Sequence, residues 1–140
     1  MKSLIYVADL DQDIDDCVAA CYLHQKQILA GIVCDPEPTS SEGILRQKQL
    51  KAKGIVFFPA IPADTNIVIV GGALRKTLQF LQKHTLKHLF IQGGYVGSNL
   101  IPQDKILSKF RNKQFVRTYN FNLDVQATHL VLQNPNAKHV

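Results

Sequence analysis

Five aspartates lie within eight positions of the sequence, in the stretch DLDQDIDD, at positions 9, 11, 13, 15 and 16. Carboxylates this close together repel one another and raise each other's pKa unless a cation or hydrogen-bond donors compensate. Hard oxygen ligands at this density suit Ca²⁺ or Mg²⁺ far better than zinc. The stretch therefore predicts a site for a hard divalent cation.

Two other interpretations of this acidic stretch can be compared with a cation site. A water-exposed helix N-terminus capped by Asp13 would account for Asp15 or Asp16 singly, because the helix dipole favours acidic residues there. It does not explain Asp9 and Asp11, which flank an apolar leucine at the end of an apolar run. An EF-hand loop is excluded, because the glycine at its sixth position and the glutamate at its twelfth are missing.

Alternating strands and helices are predicted along the whole chain, which we interpret as one domain spanning residues 1–140. This alternation predicts an α/β fold: a doubly wound, mostly parallel sheet with helices on both faces. Ligands of such sheets bind beyond the carboxyl ends of the strands, where Asp9, Gly71, Gly93 and Asn120 would gather. The predicted strands span residues 3–8, 28–33, 54–58, 67–70, 88–92 and 114–119, and the predicted helices span residues 41–52, 73–84, 104–110 and 124–133, with a first helix after Asp13.

The acidic stretch carries a resemblance to a known family. Asp9-Leu10-Asp11-Gln12-Asp13-Ile14-Asp15-Asp16 resembles the D-x-D-P-G-x-D-D signature of the inosine-uridine nucleoside hydrolases, with four aspartates in register and Gln12-Asp13 in place of Pro-Gly. The resemblance implies that Asp11 is a calcium ligand and the base that activates metal-bound water. It also implies that Asp16 binds the metal through both oxygens and that Asp15 holds a ribose hydroxyl. Asp9 is included among the metal ligands.

Further matches follow in the order in which the family has them. The strand and turn IVIVGGAL is similar to a segment ending in T-G-P-L, which makes the backbone carbonyl of Gly71 a calcium ligand. The segment FIQGGYVGSN resembles M-G-G-x(n)-G-N and assigns Asn99 to the ribose 5′ end. The segment YNFNLD resembles E-F-N-x-x-x-D-P and assigns Asn120 to the ribose. The resemblance covers nearly the whole chain and implies the nucleoside hydrolase fold.

Part of the family's pattern is missing from this sequence. Family members have a carboxyl-terminal His-Asp pair that acts at the leaving base and completes the calcium site, and none of the five histidines here is followed by aspartate. Tyr95, Tyr119 and His129 are the candidate acids for a leaving base. The resemblance therefore implies a calcium-dependent N-ribosyl hydrolase acting on a nucleoside or nucleotide. The alternatives are a non-catalytic ribose- or nucleoside-binding protein, and a subunit completed by another chain.

A phosphate site is a separate hypothesis. The family's glutamate before Phe-Asn is replaced by Thr118, which removes a charge that would repel phosphate. Arg75 follows the GGAL turn in the first turn of a predicted helix, where amides and a guanidinium favour an anion. Arg75 is thus the candidate ligand for a 5′-phosphate, and a solvated helix arginine is the alternative.

Composition and charge predict the kinds of partner, the location and the oligomeric state. A net charge of +5 comes from scattered lysines and arginines without a nucleic-acid-binding motif, so we expect no nucleic acid polymer as partner. No apolar run reaches the roughly 18 residues that a membrane span needs, and the sequence turns acidic too early for a signal peptide, which favours a cytoplasmic protein. Three cysteines fit free thiols. Apolar surface left without the family's carboxyl-terminal half predicts a homo-oligomer.

Overall fold

The computed structural model describes residues 4–93, 102–111, 113 and 117–139, and within them the chain forms a five-stranded, all-parallel sheet. The strand order is β2-β1-β3-β4-β5, which is a doubly wound arrangement. The predicted α/β fold class is thereby confirmed. The strands are β1 (Leu4–Ala8), β2 (Leu29–Cys34), β3 (Ile67–Val70), β4 (Leu86–Ile91) and β5 (Ala137–His139).

Within the described ranges, five α-helices and two short 3₁₀-helices accompany the sheet. Ser40 caps the helix that follows it by accepting a hydrogen bond from the Gly43 amide at 2.9 Å, and Asp124 caps the last helix through the Ala127 amide at 2.9 Å. The α-helices are α1 (Asp15–Gln25), α2 (Ser41–Ala52), α3 (Arg75–Leu81), α4 (Tyr119–Leu123) and α5 (Val125–Leu132), and the 3₁₀-helices span Gln103–Lys105 and Ser108–Phe110.

Two hydrophobic cores lie on the two faces of the sheet. Alternation along β1 sends Ile5 and Val7 to the face covered by α3 and α5, and Tyr6 and Ala8 to the face covered by α1 and α2. Because both faces are covered, every residue of β1 is buried, as expected for a central parallel strand. This packing fixes the position of the loop that follows β1.

The strand order reverses between β1 and β3. The chain leaves β1 towards β2 on one side and returns to β3 on the other, so a crevice opens between the loops that follow β1 and β3. Ligands of open α/β sheets bind at such switch points. The residues after Ala8 and after Val70 border this crevice.

Several predicted elements differ from the observed ones. The predicted strand 54–58 is a single bridge between Phe57 and Ile32 at the edge of β2, because the chain turns away at Pro59. The predicted helix 104–110 is two 3₁₀-helices. The predicted strand 114–119 lies partly outside the described residues, and Tyr119 begins a helix instead. The predicted strands do not include β5, which pairs with β4.

Helix α1 directs an apolar stripe away from the sheet. Ile14, Val18 and Tyr22 are spaced along one helical stripe, yet they are 57–66% exposed, whereas Asp16 and Ala20 are buried. The buried carboxylate therefore belongs to the face of α1 that packs on the sheet. Among the described residues, no helix has the length and apolarity required to cross a membrane.

Candidate functional site

A cleft of about 490 Å³ lies at the switch point, beyond the carboxyl ends of β1, β3 and β4. Four carboxylates and several uncharged polar side chains form its wall, and the backbone of two glycines completes it. Its lining residues are Asp9, Gln12, Asp13, Asp15, Asp16, Gly71, Gln92, Gly93, Thr118, Tyr119 and Asn120. Sequence positions more than a hundred residues apart therefore meet in one polar site.

Asp16 is the most deeply buried of the cleft carboxylates, with 2% of its surface exposed. The Tyr6 hydroxyl donates a hydrogen bond to its Oδ1, and the Asp9 amide donates one to its Oδ2 at 2.5 Å. Burial raises the pKa of Asp16 to about 6, because neither hydrogen bond offsets the loss of hydration and the nearby charges of Asp15 and Asp9. A positive charge placed near Asp16 would therefore stabilise its ionised form.

Asp13 and Asp15 form a pair of interacting carboxyl groups at the mouth of the cleft. The hydrogen bond between their carboxyl groups raises the pKa of Asp15 and lowers the pKa of Asp13. The Asp15 amide also donates to Asp13 Oδ1 at 3.2 Å, and the Asp16 amide donates to Asp15 Oδ1 at 2.8 Å. The pair can accept hydrogen bonds from hydroxyl groups, and one proton can be shared between them.

The opposite wall of the cleft comes from the start of α4. The Tyr119 hydroxyl lies 3.4 Å from Asp9 Oδ2, and partial burial together with the charge of Asp9 raises the pKa of Tyr119. The Asn120 side-chain NH₂ group donates to the Gln92 carbonyl at 2.9 Å. The side-chain oxygen of Asn120 takes no part in that hydrogen bond. Both residues offer polar groups to a ligand lying against the acidic wall.

Asp11 does not line this cleft. Its carboxylate turns towards the N-terminus of α2 and accepts hydrogen bonds from the backbone amides and hydroxyls of Thr39 and Ser40, at 2.8–3.1 Å. Although partial burial alone would raise its pKa, these hydrogen bonds outweigh burial and lower the pKa of Asp11. In this arrangement Asp11 connects two loops and is a weaker base than a free aspartate.

Arg75, the candidate phosphate ligand, also lies apart from the cleft lining. Its Nε lies 3.3 Å from Oδ1 of the buried Asp35, whose other oxygen accepts from the Lys76 amide at 2.8 Å. Arg75 is therefore paired with the end of β2. Asn99 and Tyr95 lie outside the described residues. His129 is exposed on α5 and does not line the cleft.

Gly71 lies directly against Asp16. A methyl group at this position would overlap Asp16 Oδ1 and the Tyr6 hydroxyl, so only glycine lets the end of β3 approach this closely. Its amide donates to the Val7 carbonyl at 2.8 Å, which continues the pairing of β1 and β3. The backbone of Gly71 thus borders both the cleft and its buried carboxylate.

The cleft has the negative charge that a divalent cation requires, but the carboxylates that the structure describes there are not arranged around a metal position. The ion pairs seen among the described residues, Arg75–Asp35 and Lys76–Glu37, lie outside it, so its carboxylates have no cationic side chain as partner there. Within the same residues, however, no group of three or more His, Cys, Asp or Glu side chains is arranged to hold a metal ion. Asp9 and Asp16 fit a cation chemically, but cation binding requires some of their hydrogen bonds to rearrange.

The sequence identified most of the cleft residues, but the lining residues Gln12 and Gln92 and the neighbouring Tyr6 were not selected. The structure brings together Asp9, Asp15, Asp16, Gly71 and Asn120, and Thr118 joins them. Tyr6, which holds Asp16 from below, was not selected, because it lies inside the apolar strand SLIYVA. A hydroxyl in the middle of an otherwise apolar, fully buried strand was the available signal, since a buried tyrosine hydroxyl needs a polar partner.

The fold and this cleft define a doubly wound α/β protein with an acidic site at its switch point. No family model matches the chain, and none of the solved structures matches it. A stretch of 63 residues, 44% of the chain, is 38% identical to an uncharacterised protein of Aquifex aeolicus (strain VF5). The similarity covers 20% of that protein's length, so the chain matches about a fifth of this relative.

Proposed function

We propose that the cleft binds the ribosyl part of a nucleoside or nucleotide beside a Ca²⁺ ion, and that the chain hydrolyses the N-ribosidic bond as a relative of the inosine-uridine nucleoside hydrolases. The observation that carries this proposal is the meeting of Asp9, Asp15, Asp16, Gly71 and Asn120 in one cleft. The motif order selects these positions, and the doubly wound fold brings the strand ends that carry them to one edge of the sheet, which is compatible with the roles that the resemblance implies.

The chemistry of the wall suits a sugar diol. A carboxylate accepts hydrogen bonds from two neighbouring hydroxyls, and Asp15 at the mouth of the cleft is available for such a contact. Asn120 and Tyr119 lie on the facing wall. A ribosyl ring held between these walls would have its orientation restricted, which is the first requirement for breaking one particular bond.

Asp16, Asp9 and the Gly71 carbonyl would hold the cation, which supplies positive charge next to the reacting sugar. The cation would also offset the repulsion among the buried carboxylates, which have no ion pair within the part of the chain that the structure describes. Tyr119, on the facing wall, carries the hydroxyl that would donate a proton to a leaving base, and it would give up its contact with Asp9 to do so. These assignments use groups that line the cleft or lie against it.

Asp11 favours a second candidate function, a ribose- or nucleoside-binding protein without catalysis. Hydrolysis with Asp11 as the base requires its carboxylate to leave Thr39 and Ser40, whereas ligand binding in the cleft does not. The binding function therefore needs no rearrangement of the loop before α2. The cytoplasmic location, self-association and absence of a nucleic acid polymer partner that the sequence suggested stay predictions.

One set of measurements tests both candidates. The chain is titrated with nucleosides and their 5′-monophosphates by calorimetry, with Ca²⁺ or with chelator, and released ribose or ribose phosphate is measured in the same samples. Hydrolysis predicts Ca²⁺-dependent release that Asp11→Asn and Asp15→Asn both abolish. Binding alone predicts affinity that Asp15→Asn lowers and Asp11→Asn does not, without release.

A matched control is Asp64→Asn, which removes the same charge from an exposed position outside the cleft and should change neither quantity. Absence of binding and of release across the whole panel would contradict both candidate functions.

A further inference from the structure

A groove of about 460 Å³ lies between α1 and α2, and among the residues that the structure describes it shares no lining residue with the acidic cleft. One wall is a stripe of α1 formed by Ile14, Val18 and Tyr22, which follow one another at intervals of four residues. Each of the three is more than half exposed. Apolar residues scattered singly on a surface are normal, whereas a continuous apolar stripe marks a surface for interaction.

Charges of opposite sign lie at the two ends of this stripe. Asp13 and Asp15 are exposed beside Ile14, where α1 begins. At the other end Lys26 follows the last residue of α1, and its Nζ lies 5.5 Å from the centre of the Tyr22 ring. The ion pairs seen in the described part of the chain involve none of these three charged groups. The stripe therefore has an acidic start and a basic end, both available to a partner.

Such a stripe is complementary to a second copy of itself turned end for end. Two α1 helices packed antiparallel about a two-fold axis at Val18 place Ile14 of each copy opposite Tyr22 of the other, because both lie four residues from Val18. At 1.5 Å per residue, Lys26 of one copy and Asp13 of the other lie about 12 Å and about 7.5 Å from the axis on the same side. A lysine side chain spans that difference, so each end of the contact joins a cation to a carboxylate.

We propose that the chain forms a symmetric dimer through α1, with a second copy of the chain seated on the apolar stripe. The inference goes beyond the proposed function and does not depend on any ligand of the cleft. Because Asp13 also lines the mouth of the cleft, the dimer brings Lys26 of each copy to the edge of the other copy's cleft. One helical stripe is a small contact beside the roughly 800 Å² per partner of a stable interface, so the dimer is weak and sensitive to salt.

Charge exchange tests the pairing at the ends of the stripe. Lys26→Glu places like charges at both ends of the contact, and Asp13→Lys does the same with the opposite sign. Each variant alone should weaken dimerisation about tenfold or more, as measured by sedimentation equilibrium of the full chain over a wide range of concentrations. An equimolar mixture of the two variants should restore the dimer, because each contact of the mixed pair again joins an acid to a base. Lys48→Glu makes the same charge change on α2 outside the groove and is the matched control.

A second pair of variants tests the apolar part of the contact. Val18→Ser/Tyr22→Ser removes two residues of the stripe, and Leu107→Ser/Val125→Ser removes two equally exposed apolar residues elsewhere. Only the first should lower the dimer affinity. Far-UV circular dichroism checks that all variants keep the fold.

The expected result is a concentration-dependent dimer that added salt weakens, that the stripe and charge variants disrupt, and that the mixture of charge variants restores. A wild-type chain that stays monomeric at every concentration overturns the proposal and leaves the stripe to another occupant. A dimer that the charge variants leave unchanged, or that the mixture does not restore, is formed through another surface and also overturns it.

Discussion

The buried carboxyl of Asp16 should make the folded chain less stable as the pH rises from about 4 to about 7. Its pKa is about 6 in the folded chain, against an ordinary value of 3.8, so the native state holds the proton more tightly than the unfolded state. The stability that this group contributes is therefore fully present below pH 3.8 and is lost as the pH rises through 6. At about 1.36 kcal/mol per pH unit, the difference amounts to about 3 kcal/mol of unfolding free energy.

Asp16→Asn isolates this contribution, because the amide does not titrate. The variant loses one acceptor, since its NH₂ group faces either Tyr6 or the Asp9 amide, so its absolute stability at low pH should fall. The informative quantity is the difference in unfolding free energy between variant and wild type as a function of pH. That difference should move in favour of the variant by about 2 to 3 kcal/mol between pH 4 and pH 7.

Urea denaturation at several pH values measures this difference, with far-UV circular dichroism as the signal because the chain has no tryptophan. Asp64→Asn serves as the control for removal of an exposed carboxylate and should show no such trend. A difference between Asp16→Asn and wild type that stays constant with pH, or that moves in favour of wild type at high pH, would refute the reasoning about burial.

Three further predictions concern residues around the cleft. Asp11→Ala should lower the unfolding free energy by about 0.5 to 1.5 kcal/mol, since it removes the hydrogen bonds to Thr39 and Ser40, whose donors can then bond to water; a chemical denaturation curve like that of wild type would contradict its bracing role. Gly71→Ala should destabilise the chain by about 1 to 3 kcal/mol, because the methyl group overlaps Asp16 and Tyr6; an unchanged melting temperature would contradict that crowding. Arg75→Ala should alter the affinities for a nucleoside and its 5′-monophosphate equally, because Arg75 is paired with Asp35; a selective loss of monophosphate binding in calorimetry would restore the phosphate-site hypothesis.

The parts of the fold that the sequence predicted best are those with strong local patterns. The apolar run Ile67–Val70 and the helix Ser41–Ala52 have the predicted bounds, because a buried parallel strand and a well-capped helix both leave clear signals. The strand Ala137–His139 has three residues and pairs with β4, so its formation depends on a neighbour that local sequence does not reveal.

The same distinction applies to the site. Residues that directly follow a buried strand, Asp9 and Gly71, reach the cleft as predicted, because strand ends converge at one edge. Asp11 does not, because the intervening Leu10 is fully buried and the next side chain is drawn to amides before α2. That attraction involves residues 28 and 29 positions away, and the motif spacing carries no information about it.

The hydrogen bonds of Asp11 have a further consequence for ligand affinity. They fasten the segment after β1 to the start of α2, and Arg46 adds a hydrogen bond from its guanidinium to the Leu10 carbonyl at 2.7 Å. The loop that presents Asp13 and Asp15 is therefore anchored on the side away from the cleft. Its conformational entropy is largely lost during folding, so a ligand meets a preorganised acidic wall and less of its binding energy goes into ordering that wall.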